Sequence, residues 1–320
     1  MVKREKTQFV SELSESDAID DIFVVKKKLN VTQYKKGFRF TLILGDKTGE
    51  IEYKYWGSKD KEKVEKVYEK FSENEVIYVT GKVSKWRNKL EISANQDDII
   101  TLVPREEYYL KDFIEVSKND LDDLFSEVES FFDLVENKEL KKLLESVFGD
   151  NVISSEFMKS PLTVYNHYNW VGGLMEHTIN VTKLCNLLLK LHPSLDKDLL
   201  ITASLLHDIG KIKSYEISTS VKQSKRNMLL GHVIMGVQIV TEKAKEVELP
   251  NSLTDKIIHM ISTHHGKLEK NYLYKPSTPE AVALMYANDL DSKTKMISKK
   301  REESSESSAK FSELGTFLLD

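Results

Sequence analysis

Apolar and polar residues alternate with period two from about Ala18 to Val103, whereas from Ser117 onward they recur at spacings of three and four. The first pattern predicts half-buried strands and the second amphipathic helices. Turn residues at Lys36-Gly37 and along Gly45-Asp46-Lys47-Thr48-Gly49 divide the first region, so that GFRFTLIL and EIEYKYW pair as a hairpin. The segment KDKEKVEKVYEKF then has helical spacing, with Val64, Val67, Tyr68 and Phe71 on one side. Strands return in EVIYVTGKVSKWRNKLEISAN, with a turn at Arg87-Asn88.

Three strands, a helix and two more strands have the connectivity of an OB-fold, a small Greek-key barrel. The fold class expected is therefore multidomain α+β, an N-terminal OB-fold β-barrel followed by an all-α domain. Its parts are an N-terminal segment at 1–17, the barrel at 18–103, a linker at 104–116 opened by Pro104, the helical domain at 117–298 and a charged tail at 299–320. A chain of 320 residues is long enough for two cores. The net charge of −4 requires any basic surface to be local. The lone Cys185 excludes an internal disulfide and a Cys-rich zinc finger, and with no apolar stretch of spanning length the expected setting is cytoplasmic, without a membrane.

Cations and aromatic residues interleave in the strand region, as a groove for single-stranded nucleic acid requires. Lys36, Phe38, Arg39, Phe40, Tyr53, Tyr55, Trp56, Lys85, Trp86 and Arg87 are the candidates for such contacts. Alternation places Phe38 and Phe40 on one face of their strand and Arg39 on the other, so some of these rings must be core. Trp86, beside a turn and flanked by Lys85 and Arg87, is the best placed to stack on a base.

The helical region carries the chemistry. Five of its histidines fall in the order His177, His207, His232, His264, His265, with Asp208 directly after His207 and Asp289 downstream. Imidazole nitrogens and carboxylate oxygens together suit divalent transition metals, and an acid lying between two histidine groups can bridge a pair of ions. His207-Asp208 ends the apolar run LLITASLL, where a buried charge is costly unless paired or bound to metal. His177 lies near a helix start after Gly172-Gly173, His232 follows Gly231 and opens a helix, and Gly266 caps a helix that ends in His264-His265. His259 reads as a core residue and His192 as a helix-end or surface one.

HDIGK from His207 to Lys211, with His177 upstream and Asp289 downstream, resembles the HD superfamily of metal-dependent phosphohydrolases. The added His232 and His264-His265 resemble its two-metal subset. The phrase LxLxDxTGxIxxxxW from Leu42 to Trp56 is similar to OB domains of the anticodon-binding type, and the OB–HD pairing with NHYNWVGGLMEHT resembles YhaM-type 3′→5′ exoribonucleases and their archaeal relatives. The resemblance implies that His177, His207, Asp208 and Asp289 hold one ion. Asp208 would bridge to a second held by His232 and His264, with His265 a further ligand or a phosphate contact. Lys211 would offset charge on a phosphate oxygen, and His167 would protonate the leaving group or position the substrate, although Tyr168 stands where the family motif has a second histidine. The cofactor implied is a pair of divalent ions, with Mn²⁺ first and Fe²⁺, Co²⁺, Mg²⁺ or Zn²⁺ as alternatives.

The function expected is a metal-dependent phosphodiesterase, a 3′→5′ exonuclease on single-stranded RNA or DNA. Two rivals stand beside it: an HD nucleotidase acting on small phosphate esters, and a nucleic-acid-binding adaptor whose metal site is inactive or structural. Spacing leaves open whether the chain forms a homo-oligomer.

Overall fold

The computed structural model describes residues 3–164, 167–266 and 275–303, together with short strand pairs at 310–311 and 316–317. Most of the charged tail expected at 299–320 lies outside the described residues, although the last long helix continues into it as far as Glu303. The chain divides into two compact units: Met1–Glu115 with Ile217–Val221, and Val116–Glu216 with Lys222–Asp320.

The first unit is a barrel of β1 (Ala18–Tyr34), β2 (Gly37–Asp46), β3 (Gly49–Trp56), β4 (Val76–Trp86) and β5 (Lys89–Asn95), with α1 (Lys61–Tyr68) between β3 and β4. Strand order is β1-β2-β3-β5-β4, and β1 also pairs with β4 to close the cylinder. The 17-residue β1 serves both partners: Ala18–Val24 face β4, and Val24 onward face β2 across register shifts at Val25/Lys27 and Leu29/Thr32. Such bulges bend a strand enough for it to belong to both ends of a closed sheet. Alternation puts Phe40, Leu42 and Leu44 of β2 and Ile51, Tyr53 and Tyr55 of β3 in the core with Phe23, Ile77, Val79 and Ile92. Arg87 and Asn88 have φ of 46° and 68°, the paired left-handed values of a tight hairpin turn, as the sequence predicts there.

Two features differ from the sequence reading. A short β6 (Ile100–Leu102) pairs antiparallel with β4. Within 104–116, expected as a linker, the stretch up to Glu115 belongs to the barrel unit, and Tyr108 and Phe113 bury beside Ile22, Val24, Val76 and Val103.

The second unit is helical: α2 (Leu121–Ser130), α3 (Lys138–Phe148), α4 (Asn151–Lys159), α5 (Gly173–Leu191), α6 (Lys197–Leu206), α7 (Lys225–Glu246), α8 (Asn251–Thr263) and α9 (Pro279–Glu303). Side chains of Asp120, Asn137, Asp150, Asp196 and Ser224 accept amide hydrogen bonds at the starts of α2, α3, α4, α6 and α7. One apolar core runs through the bundle, with Leu174, Val181, Leu200, Ala203, Ile257, Ile261, Ala281 and Leu284 at its centre. A small hairpin of β7 (Tyr215–Ile217) and β8 (Val221–Gln223) interrupts the helices, too short to register as a periodic pattern. Among the described residues no helix is long and apolar enough to cross a membrane.

Candidate metal centre

Four chain breaks aim the ligands. α5 begins after Gly172, whose φ of 88° is left-handed, and His177 follows one turn later, fully buried. α6 ends at His207, and Asp208 leaves the helix with φ −110° and ψ 12° before a tight turn at Ile209–Lys213. That turn contains Gly210, where a Cβ would meet the carbonyl of His232 at 1.9 Å and the amide of Gly236 at 2.4 Å. Two backbones therefore cross at Gly210, and the crossing sets His232 opposite Asp208. Within α7 the helix breaks at Gly231, with φ 74° and ψ 156°, so a new run opens at His232 as its glycine suggests. His264 and His265 follow α8, and Gly266 has the left-handed φ of 62° expected of a helix cap.

The ligand atoms meet around Asp208. Its Oδ2 lies 3.7 Å from His177 Nε2 and 3.5 Å from His207 Nε2, while its Oδ1 lies 3.3 Å from His232 Nε2 and 3.4 Å from His264 Nε2. His265 Nε2 is 2.9 Å from His232 Nε2. The groups able to hold an ion are thus His177, His207 and Asp208 on one side, and Asp208, His232, His264 and His265 on the other. One carboxylate serves both sets.

Orientation of the rings fits a cation. His207 Nδ1 donates to the carbonyl of Ser204 at 2.7 Å, His264 Nδ1 to that of Ile261 at 2.7 Å, and His177 Nδ1 to Asp291 Oδ2 at 2.7 Å. Each outer bond fixes the tautomer and turns an Nε2 lone pair inward. Asp208 Oδ1 and His264 Nε2 are buried without a hydrogen-bond partner, and His177 Nε2 and His207 Nε2 face each other at 3.3 Å. Converging lone pairs and orphaned acceptors are unfavourable in a dry interior and become favourable around a positive ion. The donor set, imidazoles with a bridging carboxylate, suits divalent transition metals.

Electrostatics agree. Burial pushes the His207 imidazole down to about 3, and burial, with Lys211 next, holds His232 well below the usual imidazole range. Burial does the same to His265, aided by His264. Burial opposes ionisation of Asp208, but the Lys211 ammonium leads the influences that overcome it and hold the carboxyl well below the usual range. His207, His232 and His265 are thus held neutral beside an ionised acid, the protonation states that ligation requires.

The final aspartate departs from expectation. Asp289 joins neither ligand group and instead accepts from Lys293 one turn along α9, at 2.7 Å on the outer face. Asn288 and Asp291 take the inward face, three residues apart, with Asn288 Oδ1 3.0 Å from His177 Nε2. Asp289 sits about 100° around the helix from Asn288 and cannot share that face. The buried series Ala281, Leu284 and Ala287 is the sequence signal that marks the inward side. Tyr168 joins as an outer support: its hydroxyl donates to Asp291 Oδ1 at 3.1 Å and accepts from Asn180 Nδ2 at 2.8 Å. Lys211 Nζ lies 3.8 Å from Asp208 Oδ2 and donates to the Leu162 carbonyl at 3.2 Å. His167 is half-buried with Nδ1 lacking a hydrogen-bond partner, and burial, then His177 and Lys211, pushes it down to about 4. His259, expected in the core, is half-buried, and its Nε2 accepts from the Ser277 amide at 3.0 Å just before α9.

The barrel sorts its candidates differently. Phe40, Tyr53 and Tyr55 are core, with Phe40 and Tyr55 stacked on each other at 4.8 Å, so none offers a face to a base. Phe38 is partly buried against the same core. Lys36, Lys85 and Arg87 are exposed, and Trp86 is 61% exposed. Arg39 lies over the Trp56 ring at 4.8 Å, and Tyr34, which composition did not single out, packs edge-on to Trp56 at 4.9 Å. Tyr34, Lys35, Lys36 and Trp56 line an open cleft of about 700 Å³ with Asn95 and Asp97.

Residues 174–293 match the HD domain family, and residues 24–100 match an OB-fold nucleic acid binding domain. The 3′-5′ exoribonuclease YhaM of Shouchella clausii is 27% identical over 282 residues, which cover 88% of this chain and 85% of that one. The protein of the same name from Bacillus subtilis is 26% identical over 282 residues, covering 88% and 87%. The chain thus joins an N-terminal OB-fold domain to an HD domain, and these matches support a metal-dependent hydrolytic enzyme.

Proposed function

We propose that this protein is a phosphodiesterase that trims single-stranded RNA from its 3′ end, using two divalent ions held about Asp208. The observation that carries the reading is the division of one buried carboxylate between two sets of imidazoles, 3.5 and 3.7 Å away on one oxygen and 3.3 and 3.4 Å away on the other. When bound, such a pair of ions acidifies water at neutral pH and offsets charge on the phosphate oxygens. His177, His207 and Asn288 would hold one ion and His232, His264 and His265 the other, with Asp208 shared. Lys211 extends the positive field beside Asp208 and would orient a phosphate oxygen. His167, held neutral across the physiological range, suits positioning of substrate better than delivery of a proton.

RNA as substrate and 3′→5′ polarity are drawn from the relatives named 3′-5′ exoribonuclease, and a single strand as partner from the OB domain with its cleft beside Tyr34 and Trp56. Mn²⁺ is the ion proposed, because a nitrogen-rich set discriminates against Mg²⁺. The test is to incubate Mn²⁺-reconstituted protein with 5′-labelled single-stranded RNA and DNA. A ladder shortening one nucleotide at a time from the 3′ end, absent in Asp208→Asn, is the expected result. Internal cuts, or turnover confined to mononucleotides, would replace this reading with an endonuclease or a nucleotidase.

A further inference from the structure

The two halves of the centre differ in kind. Around Asp208 Oδ1 stand three imidazoles, His232, His264 and His265, whereas around Oδ2 stand two, His177 and His207, and the side-chain amide of Asn288. Asn288 is buried and anchored at both ends. Its Oδ1 lies 3.0 Å from His177 Nε2, and its Nδ2 donates to the main-chain carbonyl of His264 at 3.4 Å. That second contact decides which end of the amide faces the ligands, since only the NH₂ group can serve a carbonyl. A neutral oxygen therefore stands where the sequence pattern leads one to expect a carboxylate from α9.

Charge follows from this placement. Among the described residues Asp208 is the only acid in either ligand group, so one negative charge is shared between two dications. On the Oδ2 side Asp291 lies one layer out, on His177 Nδ1, and Lys211 Nζ adds a positive charge 3.8 Å from Oδ2. The outer carboxylate makes His177 a better donor but does not ligate. Imidazole is also a stronger ligand than an amide oxygen for the divalent transition metals this set suits. The Oδ1 side is thus the richer position in donor strength, and the Oδ2 side is left short of an anion.

We infer that the two positions are unequal: the one bounded by His232, His264 and His265 fills first and tightly, and the one bounded by His177, His207 and Asn288 holds its ion weakly until a phosphate oxygen supplies the missing negative charge. This rests on the two-ion reading above. Full-length protein stripped of metal would be titrated with Mn²⁺ by calorimetry and by the electron paramagnetic resonance signal of free Mn²⁺. Two classes of site separated by roughly tenfold or more in Kd are expected, and millimolar inorganic phosphate should tighten the weaker class about fivefold or more. Asn288→Asp should narrow the gap and blunt the phosphate response, while His265→Ala should weaken the tight class. Two classes of equal affinity in the wild type, or a weak class indifferent to phosphate, would overturn the inference. Should Asn288→Asp fail to fold, the wild-type titration with and without phosphate decides the matter alone. Binding of a single Mn²⁺ even with phosphate present would instead overturn the two-ion reading itself.

Discussion

The barrel and the helical domain both bury rings that the sequence marks as candidates, and they do so for opposite reasons. In the barrel, Phe40, Tyr53 and Tyr55 go inward because alternation sends every second residue there, and the fully buried Tyr53 hydroxyl finds the Thr80 carbonyl at 3.3 Å. In the helical domain, five imidazoles crowd a single carboxylate, and within that cluster Asp208 Oδ1 and His264 Nε2 remain without hydrogen bonds. Burying an apolar ring is favourable in any fold and carries no functional message. Burying unsatisfied polar atoms is costly, so their convergence marks a place shaped for something else.

The sharpest way to break this comparison is one substitution in each region. Phe40→Ala should cost about 3–5 kcal/mol of stability, seen as a shift in the denaturation midpoint, because it empties a core position between Tyr55, Tyr68 and Phe71. Asp208→Asn should leave the helical signal in circular dichroism intact while hydrolysis falls by at least about a thousandfold, since it removes the one charge common to both ligand groups. If Phe40→Ala spared stability but weakened strand binding, the ring would be a ligand platform and the division drawn here would be wrong.

Next in size is Gly210→Ala. Its methyl would overlap the His232 carbonyl and the Gly236 amide, both backbone atoms that cannot rotate away. Separation of α7 from the turn should lower stability by about 1–3 kcal/mol, read as a drop of several degrees in Tm. Metal binding should weaken as well, because His232 rides on the displaced segment. A Tm within a degree of wild type would show that the crossing is looser than its geometry implies.

Asp291→Asn and Asp289→Asn form the third test. Asp291 orients His177 through Nδ1, and loss of such an outer partner typically costs 10–100-fold in metal affinity or activity. Asp289, paired with Lys293 on the outer face, should be silent in both measurements. Reversed outcomes would restore the assignment that the sequence spacing suggests.

That pair also shows how far the sequence could be read. His177, His207, Asp208, His232, His264 and His265 were legible because titratable residues inside apolar runs have few structural uses, and the glycines beside them announced the chain breaks that aim them. The barrel was legible because its strands alternate cleanly and its Arg87-Asn88 turn has a local signature. Asn288 was not, since asparagine carries no expectation of ligation and a rotation of one residue along α9 decides whether Asn288 or Asp289 shares the inward face with Asp291. Tyr168 and Asn180 were hidden for a related reason: their part lies in hydrogen bonds to Asp291 across 123 residues and to each other, which no local pattern encodes. Nor did composition separate the core rings Phe40, Tyr53 and Tyr55 from the exposed Trp86 at the end of β4, because all of them stand in strands that interleave cations with aromatics.

The smallest expected effect bears on that last ambiguity. Trp86 is 61% exposed at the β4–β5 turn, and the Arg87 guanidinium lies 5.9 Å from its ring centre, so nothing in the barrel core depends on it. If the exposed ring stacks on a base, Trp86→Ala should leave the melting temperature unchanged and weaken binding of a single-stranded oligonucleotide by about 1 kcal/mol, roughly fivefold, at the lower end of what one stacked base contributes. Arg87→Ala should produce a loss that shrinks as salt rises, whereas the Trp86→Ala loss should persist, because stacking is not screened and phosphate contacts are. Equal affinity for Trp86→Ala and wild type at every salt concentration would move strand contact away from this turn and leave the cleft beside Tyr34 and Trp56 as the barrel's binding surface.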